Sequence, residues 1–168
     1  MTRQENIDLA ALRIAGVATN VHSTDPGTAM SILTPRLVRS MHGLITIDAY
    51  PDQNTTDPVV AADEWSHQLA QWHSTWLRRG LNVSILIGEW GYSNAIGVDD
   101  ETQRAVVQAE VSRAFSAVPY LVGTNYWVGP GMAGDGGYTQ ILQSDGEGDW
   151  RFRPAASVIS GFYAAMNR

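Results

Sequence analysis

Four short apolar runs alternate with longer amphipathic stretches along this chain. RIAGVATNV (13–21), GLITIDAY (43–50), VSILIGEW (83–90) and YLVGTNYW (120–127) read as strands. Their apolar positions are nearly continuous rather than alternating, which suits parallel strands covered on both faces. The last three begin about 40 residues apart, the length of one strand-plus-helix unit. The intervening stretches carry helical periodicity. In AADEWSHQLAQWHSTWLRRG, Trp65, Leu69, Trp72 and Trp76 fall at i, i+4, i+7 and i+11, one helix face, with Gly80 as the stop. In DDETQRAVVQAEVSRAFSAVP, Val107, Val111, Ala114 and Val118 repeat that spacing; Asp99 or Asp100 caps the start and Glu101 favours the first turn. RPAASVISGFYAAMNR opens with Pro154, whose missing N–H costs nothing at a first turn, and buries Val158, Ile159, Phe162 and Met166. SILTPRLVRSMHG is a helix begun or broken at Pro35, and QENIDLAALR is helical ahead of the first strand.

The order is (α)βαβαβαβα, an α/β chain with a parallel sheet and right-handed crossovers. A small doubly wound sheet and half of a (β/α)8 barrel both satisfy it. At 168 residues and 18.3 kDa, with 44% hydrophobic and 17% charged residues, the chain is expected to form one globular domain over 1–168. The formal charge is −6, and all 11 basic residues are scattered arginines, so no basic stripe points to nucleic acid. There is no cysteine, which excludes disulfides and thiolate metal sites. No apolar run approaches the roughly 20 residues of a membrane helix, and MTRQENIDLA lacks a signal-peptide core; the compartment stays open.

In either architecture chemistry sits where the parallel strands end. Those positions are Thr19, Asn20 and His22; Asp48 and Tyr50; Glu89, Trp90 and Tyr92; then Asn125, Tyr126 and Trp127. Carboxylates, phenols, indoles and an amide at one rim suit a saccharide, whose C–H faces stack on aromatics and whose hydroxyls take hydrogen bonds. Glu89 closes an apolar strand, where a carboxylate needs partners. Tyr50, one strand earlier, is placed to donate to it. From the residues alone, Glu89 is either a nucleophile or a structural cap paired to a turn or an arginine. Asp48 is either a second rim acid or a strand-end cap. Trp65, Trp72 and Trp76 belong to the core, His67 and His73 to surface or packing, and Glu147 and Asp149 to a solvated loop.

GEWGYS after an apolar strand resembles the seventh strand of the large clan of retaining (β/α)8 glycoside hydrolases, the cellulase, mannanase and xylosidase-like families. IDAYPD resembles the sixth strand and GTNYWVGPG the eighth, and SDGEGDWRFRPAAS resembles the loop before the final helix. The likeness runs from about residue 13 to 168 through short motifs whose order and spacing carry it. It implies strands five to eight of a barrel, with Glu89 as nucleophile, Tyr50 orienting it and Trp127 as sugar platform. Asn125, Trp90, Tyr92 and Asp48 become further rim residues. The clan's acid/base is a Glu after an Asn on the fourth strand. This sequence holds no Asn-Glu pair; Glu5 precedes Asn6, the reverse order. The resemblance therefore implies part of a hydrolase that forms a glycosyl ester on Glu89, without efficient turnover alone. The implied partners are an oligo- or polysaccharide and a missing N-terminal half barrel, or another copy through exposed strand edges.

Two other classes compete. Asp48, Glu89 and His22 would hold Mg or Mn in a metal-dependent sugar isomerase, whereas the hydrolase needs no cofactor. The aromatic rim alone would make a saccharide-binding half barrel. Unrelated doubly wound chemistry lacks a G-x-G-x-x-G, a P-loop or a G-x-S-x-G elbow, and GPGMAGDGG (129–137) reads as a flexible loop over the site.

Overall fold

The computed structural model describes residues 20–21, 33–52, 54–92, 99–127, 130–132, 140–144 and 146–166. The expected N-terminal helix, most of the strand over 13–21, Thr19, His22 and most of the glycine-rich run 129–137 lie outside them. The described elements are β1 (Asn20–Val21), α1 (Pro35–Ser40), β2 (Leu44–Asp48), α2 (Pro58–Leu77), β3 (Ser84–Trp90), α3 (Asp100–Ala117), β4 (Leu121–Tyr126), β5 (Pro130–Met132), β6 (Leu142–Ser144), β7 (Trp150–Phe152) and α4 (Ala155–Met166). Strands β1 to β4 form one parallel sheet in chain order, and β5, β6 and β7 form a small mixed sheet. Consecutive order with a helix between each pair of neighbours is the arrangement of part of a (β/α)8 barrel; a doubly wound sheet reverses its order at a switch point.

Local chemistry sets the helix boundaries. Thr34 caps α1, its hydroxyl accepting from the Leu37 N–H, and Pro35 begins the helix rather than breaking it. Asp57 caps α2 through the N–H groups of Val59 and Val60, with Pro58 in the first turn. Gly80 ends the following turn at φ +72°, a conformation that favours glycine. Trp65, Leu69, Trp72 and Trp76 are all fully buried and form one core with Ile45, Ile47, Ile85, Ile87 and Trp90. On α4 the expected buried face is only partly enclosed. Ile159 is buried, Val158 and Phe162 pack at its margin, and Met166 is exposed at the end of the helix. Pro130–Met132, expected to be loop, is a strand paired with β6.

The sheet has two unlike faces. Ile45, Ile47 and Ala49 alternate toward the helices, while Leu44, Thr46, Asp48 and Tyr50 take the opposite face. Register pairs Ile45 with Ile85 and Ile47 with Ile87, then slips so that Asp48 pairs with Glu89. The slipped residue is Gly88. It forms a bulge, and the bulge inverts side-chain alternation beyond it. In an unbroken strand Glu89 would share the helix-facing side of Ile85 and Ile87. The bulge puts it on the opposite face beside Asp48 and sends Trp90 into the core.

One buried group was not expected. Glu110 of α3 is fully buried, and neither carboxyl oxygen has a hydrogen-bond partner among the described residues. Burial pushes its carboxyl well above the usual range. The folded state therefore favours the protonated form. Its stabilising contribution is intact below the ordinary carboxylate pKa and is lost as pH rises toward the raised value, at about 1.4 kcal/mol per pH unit. Glu110→Gln is expected to be more stable than the parent at neutral pH, the gap closing as pH falls to about 4. Urea denaturation across pH checks this; a gap that widens in acid refutes it.

Candidate active site

The C-terminal ends of β2, β3 and β4 bring four of the expected residues, Tyr50, Glu89, Asn125 and Trp127, to one end of the sheet. The Tyr50 phenol donates to Glu89 Oε2 at 3.3 Å. Burial first, then the Glu89 charge, its hydrogen bond and the Asp48 charge hold that phenol well above its ordinary pKa. Tyr50 is thus fixed as a donor at any physiological pH. Glu89 itself is half-buried. From the other side, the Asn125 amide donates to the Gly88 carbonyl at 3.1 Å. That carbonyl belongs to the bulge, so Asn125 supports the distortion that sets Glu89's direction. The Trp127 N–H donates to the Trp90 carbonyl at 2.7 Å, extending the β3–β4 pairing past the strand end, while its side chain stays 52% exposed. The exposed Trp127 indole thus stands at the same end of the sheet as the half-buried Glu89, its phenol donor and the Asn125 amide.

Three residues expected at the rim are elsewhere. Trp90 is fully buried, stacked on Trp65 at 4.9 Å between ring centroids and edge-on to Tyr126 at 4.8 Å. Trp65 in turn donates its indole N–H to the Ala49 carbonyl at 2.9 Å. Tyr92 is fully buried too, its hydroxyl donating to the Thr55 carbonyl at 2.6 Å. Both lie on the helix-facing side because of the Gly88 bulge, so they support the site from beneath and do not line it. Asp48, only 1% exposed, sits beside Glu89 in register but is enclosed instead of standing at the open rim. Asn20 lies in β1 opposite Thr46.

A clamp at the same end of the sheet escaped the sequence. Arg153, 2% exposed, donates from Nε to Asp100 Oδ1 at 2.7 Å and from Nη1 to the Gln140 carbonyl at 3.3 Å. Arg151 donates to Asp100 Oδ2 at 3.0 Å and to Gln143. These bonds tie β6 and β7 to the first residue of α3. Partial burial raises the Asp100 carboxyl, but the bonds from Arg153 and Arg151 and their charges outweigh it and hold the group below the usual range. The contacts span 51 and 53 residues, beyond any local pattern. Among the described residues no group of three His, Asp or Glu side chains is placed to hold a metal ion, and no helix is long and apolar enough to cross a membrane.

No protein-family profile and no curated protein matches this chain. Among solved structures it is similar to a β-glucuronidase of Ruminococcus gnavus, with TM-score 0.53 and 15% identity over 90% of this chain and 26% of that one. A β-glucuronidase from Ruminococcus gnavus in complex with D-glucaro 1,5-lactone gives TM-score 0.54 and 15% identity over 89% of this chain and 26% of that one. A β-glucuronidase of Lactobacillus rhamnosus gives 0.52 and 16% identity over 89% of this chain and 25% of that one. At such identity the likeness is one of fold, that of barrel-type glycoside hydrolases. The chain spans about a quarter of the length of these structures.

Proposed function

We propose that this chain forms part of the barrel of a retaining glycoside hydrolase and carries its nucleophile, Glu89. The observation behind this is the Gly88 bulge. It turns one carboxylate out of the helix-facing side of β3 toward the face where Tyr50, Asn125 and Trp127 gather. In the first step a Glu89 oxygen bonds to the anomeric carbon of a β-linked glycoside. The bond to the leaving oxygen breaks and its electron pair departs with the aglycone. The Tyr50 phenol orients the attacking carboxylate through its other oxygen, and Trp127 offers a stacking surface for the ring. The second step needs water and a general base, and the first needs an acid for ordinary leaving groups. On this reading another segment, not the Glu89 neighbourhood, supplies that acid/base. The chain alone is then expected to turn over unactivated glycosides poorly.

A 2,4-dinitrophenyl 2-deoxy-2-fluoro-β-glycoside separates these steps, because dinitrophenolate departs without a proton donor. Incubating the 168-residue chain with glucosyl, mannosyl and glucuronyl versions should add one fluoroglycosyl mass, mapped to Glu89 by peptide sequencing. Adduct formation at another residue, or none while an oligosaccharide still binds, overturns the nucleophile. Tyr50→Phe is expected to slow labelling about tenfold, the scale of losing about 1.5 kcal/mol from a hydrogen bond to a charged group. An unchanged rate would remove Tyr50 from the site.

The exposed Trp127 indole favours one second reading, a saccharide-binding surface without cleavage. It predicts oligosaccharide binding that Glu89→Gln leaves intact and Trp127→Ala weakens, with no adduct under any probe.

A further inference from the structure

β3 is irregular against both of its neighbours, and one side chain spans the irregularity. Against β2, Ile47 pairs with Ile87 and Asp48 with Glu89, which leaves Gly88 extra. Against β4, Ile87 pairs with Thr124 and Trp90 with Tyr126, so Gly88 and Glu89 together stand opposite one residue, Asn125. Two residues facing one is the count that defines a β-bulge. β4 carries a compensating slip earlier, where Ile85 pairs with Leu121 and Leu86 with Gly123, leaving Val122 extra. The two slips cancel, and the offset between Ile85 and Leu121 returns between Trp90 and Tyr126.

Three consecutive carbonyls of β3 are held through this stretch. That of Glu89 accepts from the Ala49 N–H at 2.9 Å and that of Trp90 from the Trp127 N–H at 2.7 Å, both backbone donors. That of Gly88, the extra residue, accepts from Asn125 Nδ2 at 3.1 Å, a side-chain donor. A carbonyl displaced from the ladder still needs a partner, and the residue opposite the bulge supplies one. Trp90, buried between Trp65 and Tyr126, decides which face each residue beyond Gly88 takes. It does not fix the angle at which the bulge presents Glu89, because a bulge bends and twists its strand locally.

We infer that Asn125 is a positioning residue: its amide grips the Gly88 carbonyl and so sets the angle at which the Glu89 carboxylate meets the Tyr50 phenol. Its effect on rate rests on the reading of Glu89 as nucleophile, whereas its effect on the Glu89–Tyr50 contact does not. Every group involved belongs to β2, β3 and β4 of this chain. The role requires an amide. Asparagine donates to a carbonyl at neutral pH, while an ionised aspartate of the same length only accepts. Either side chain can bond a sugar hydroxyl, so exchanging them separates holding the bulge from holding a ligand.

Asn125→Ala and Asn125→Asp change an exposed position, and if one variant unfolds the other still decides. Two readouts on the 168-residue chain test them. The first is the ring-carbon NMR resonance of the Tyr50 phenol in tyrosine-labelled chain, assigned with Tyr50→Phe. In both variants it should move toward its position in Glu89→Ala, where the acceptor is gone. The second is labelling by the activated fluoroglycoside. The maximal labelling rate should fall about tenfold, the scale of one lost hydrogen bond, while the half-saturating probe concentration stays that of the parent. A Tyr50 resonance unmoved in both variants overturns the inference. With it unmoved, a half-saturating concentration that rises at an unchanged maximal rate makes Asn125 a sugar ligand instead. A parent that takes no label while both variants still move the Tyr50 resonance removes Glu89 as nucleophile and leaves the Asn125 grip on its direction standing.

Discussion

Glu89→Gln is expected to abolish labelling by the activated fluoroglycoside and to cut hydrolysis of the matching dinitrophenyl glycoside by about 10⁴-fold or more, the scale of losing a covalent nucleophile. That is about 5.4 kcal/mol of transition-state stabilisation. The substitution is nearly isosteric. The Gln carbonyl still accepts from the Tyr50 phenol, now 3.3 Å from the carboxylate, and the Gly88 bulge rests on Asn125 rather than on the Glu89 side chain. Stability and saccharide affinity should therefore stay close to the parent while the chemical step fails. That combination separates a missing nucleophile from a collapsed site. Glu89→Ala should go further, leaving room for azide to attack the anomeric carbon in place of the carboxylate and to release a glycosyl azide. A Glu89→Gln variant that hydrolyses the dinitrophenyl substrate at the parent rate would remove Glu89 from the reaction. The Trp127 surface would then be left as a binding platform.

The sequence disclosed the periodic features and hid the irregular ones. Trp65, Leu69, Trp72 and Trp76 announce their helix face because four large apolar residues at helical spacing have few other uses. The chain order of β2, β3 and β4 follows from their spacing and the helices between them. The face of Glu89, Trp90 and Tyr92 did not follow, because counting alternate residues assumes an unbroken strand. A single extra residue at Gly88 inverts everything after it. Gly88 was a visible hint, since glycine inside a strand pattern often marks a bulge. Glu110 escaped for another reason. It lies three residues after Val107 and seven after Gln103, on the same buried face, but a charged residue is assigned outward by habit. The short strands Leu142–Ser144 and Trp150–Phe152 are too brief to carry a period.

Asp100→Ala is expected to destabilise the fold by about 3 kcal/mol, the scale of breaking a buried ion pair from one side. The estimate sits at the low end because the Asp100 side chain is 32% exposed and water moderates its charge. What the substitution leaves behind sets the cost. Arg153 is 2% exposed, and without Asp100 it loses the carboxylate that its Nε bonds and that balances its charge. A guanidinium so placed must stay buried without that counter-charge or draw β6 and β7 outward to reach water. The first turn of α3 also loses an acid that favours its dipole. The pH dependence has a fixed sign. The Asp100 carboxyl is held below its ordinary value, so its contribution is complete above the unfolded pKa and is lost as pH falls through the folded one. Parent and Asp100→Ala should therefore converge as pH falls below about 4, with the gap full and constant above it. That is the opposite trend to Glu110→Gln, so the two variants check each other within one urea series. In an Arg153→Met background the same Asp100→Ala change should cost much less, because no buried charge remains to be stranded. Equal costs in both backgrounds would mean that Asp100 acts through the α3 terminus alone, and that the clamp contributes nothing to holding β6 and β7 against α3.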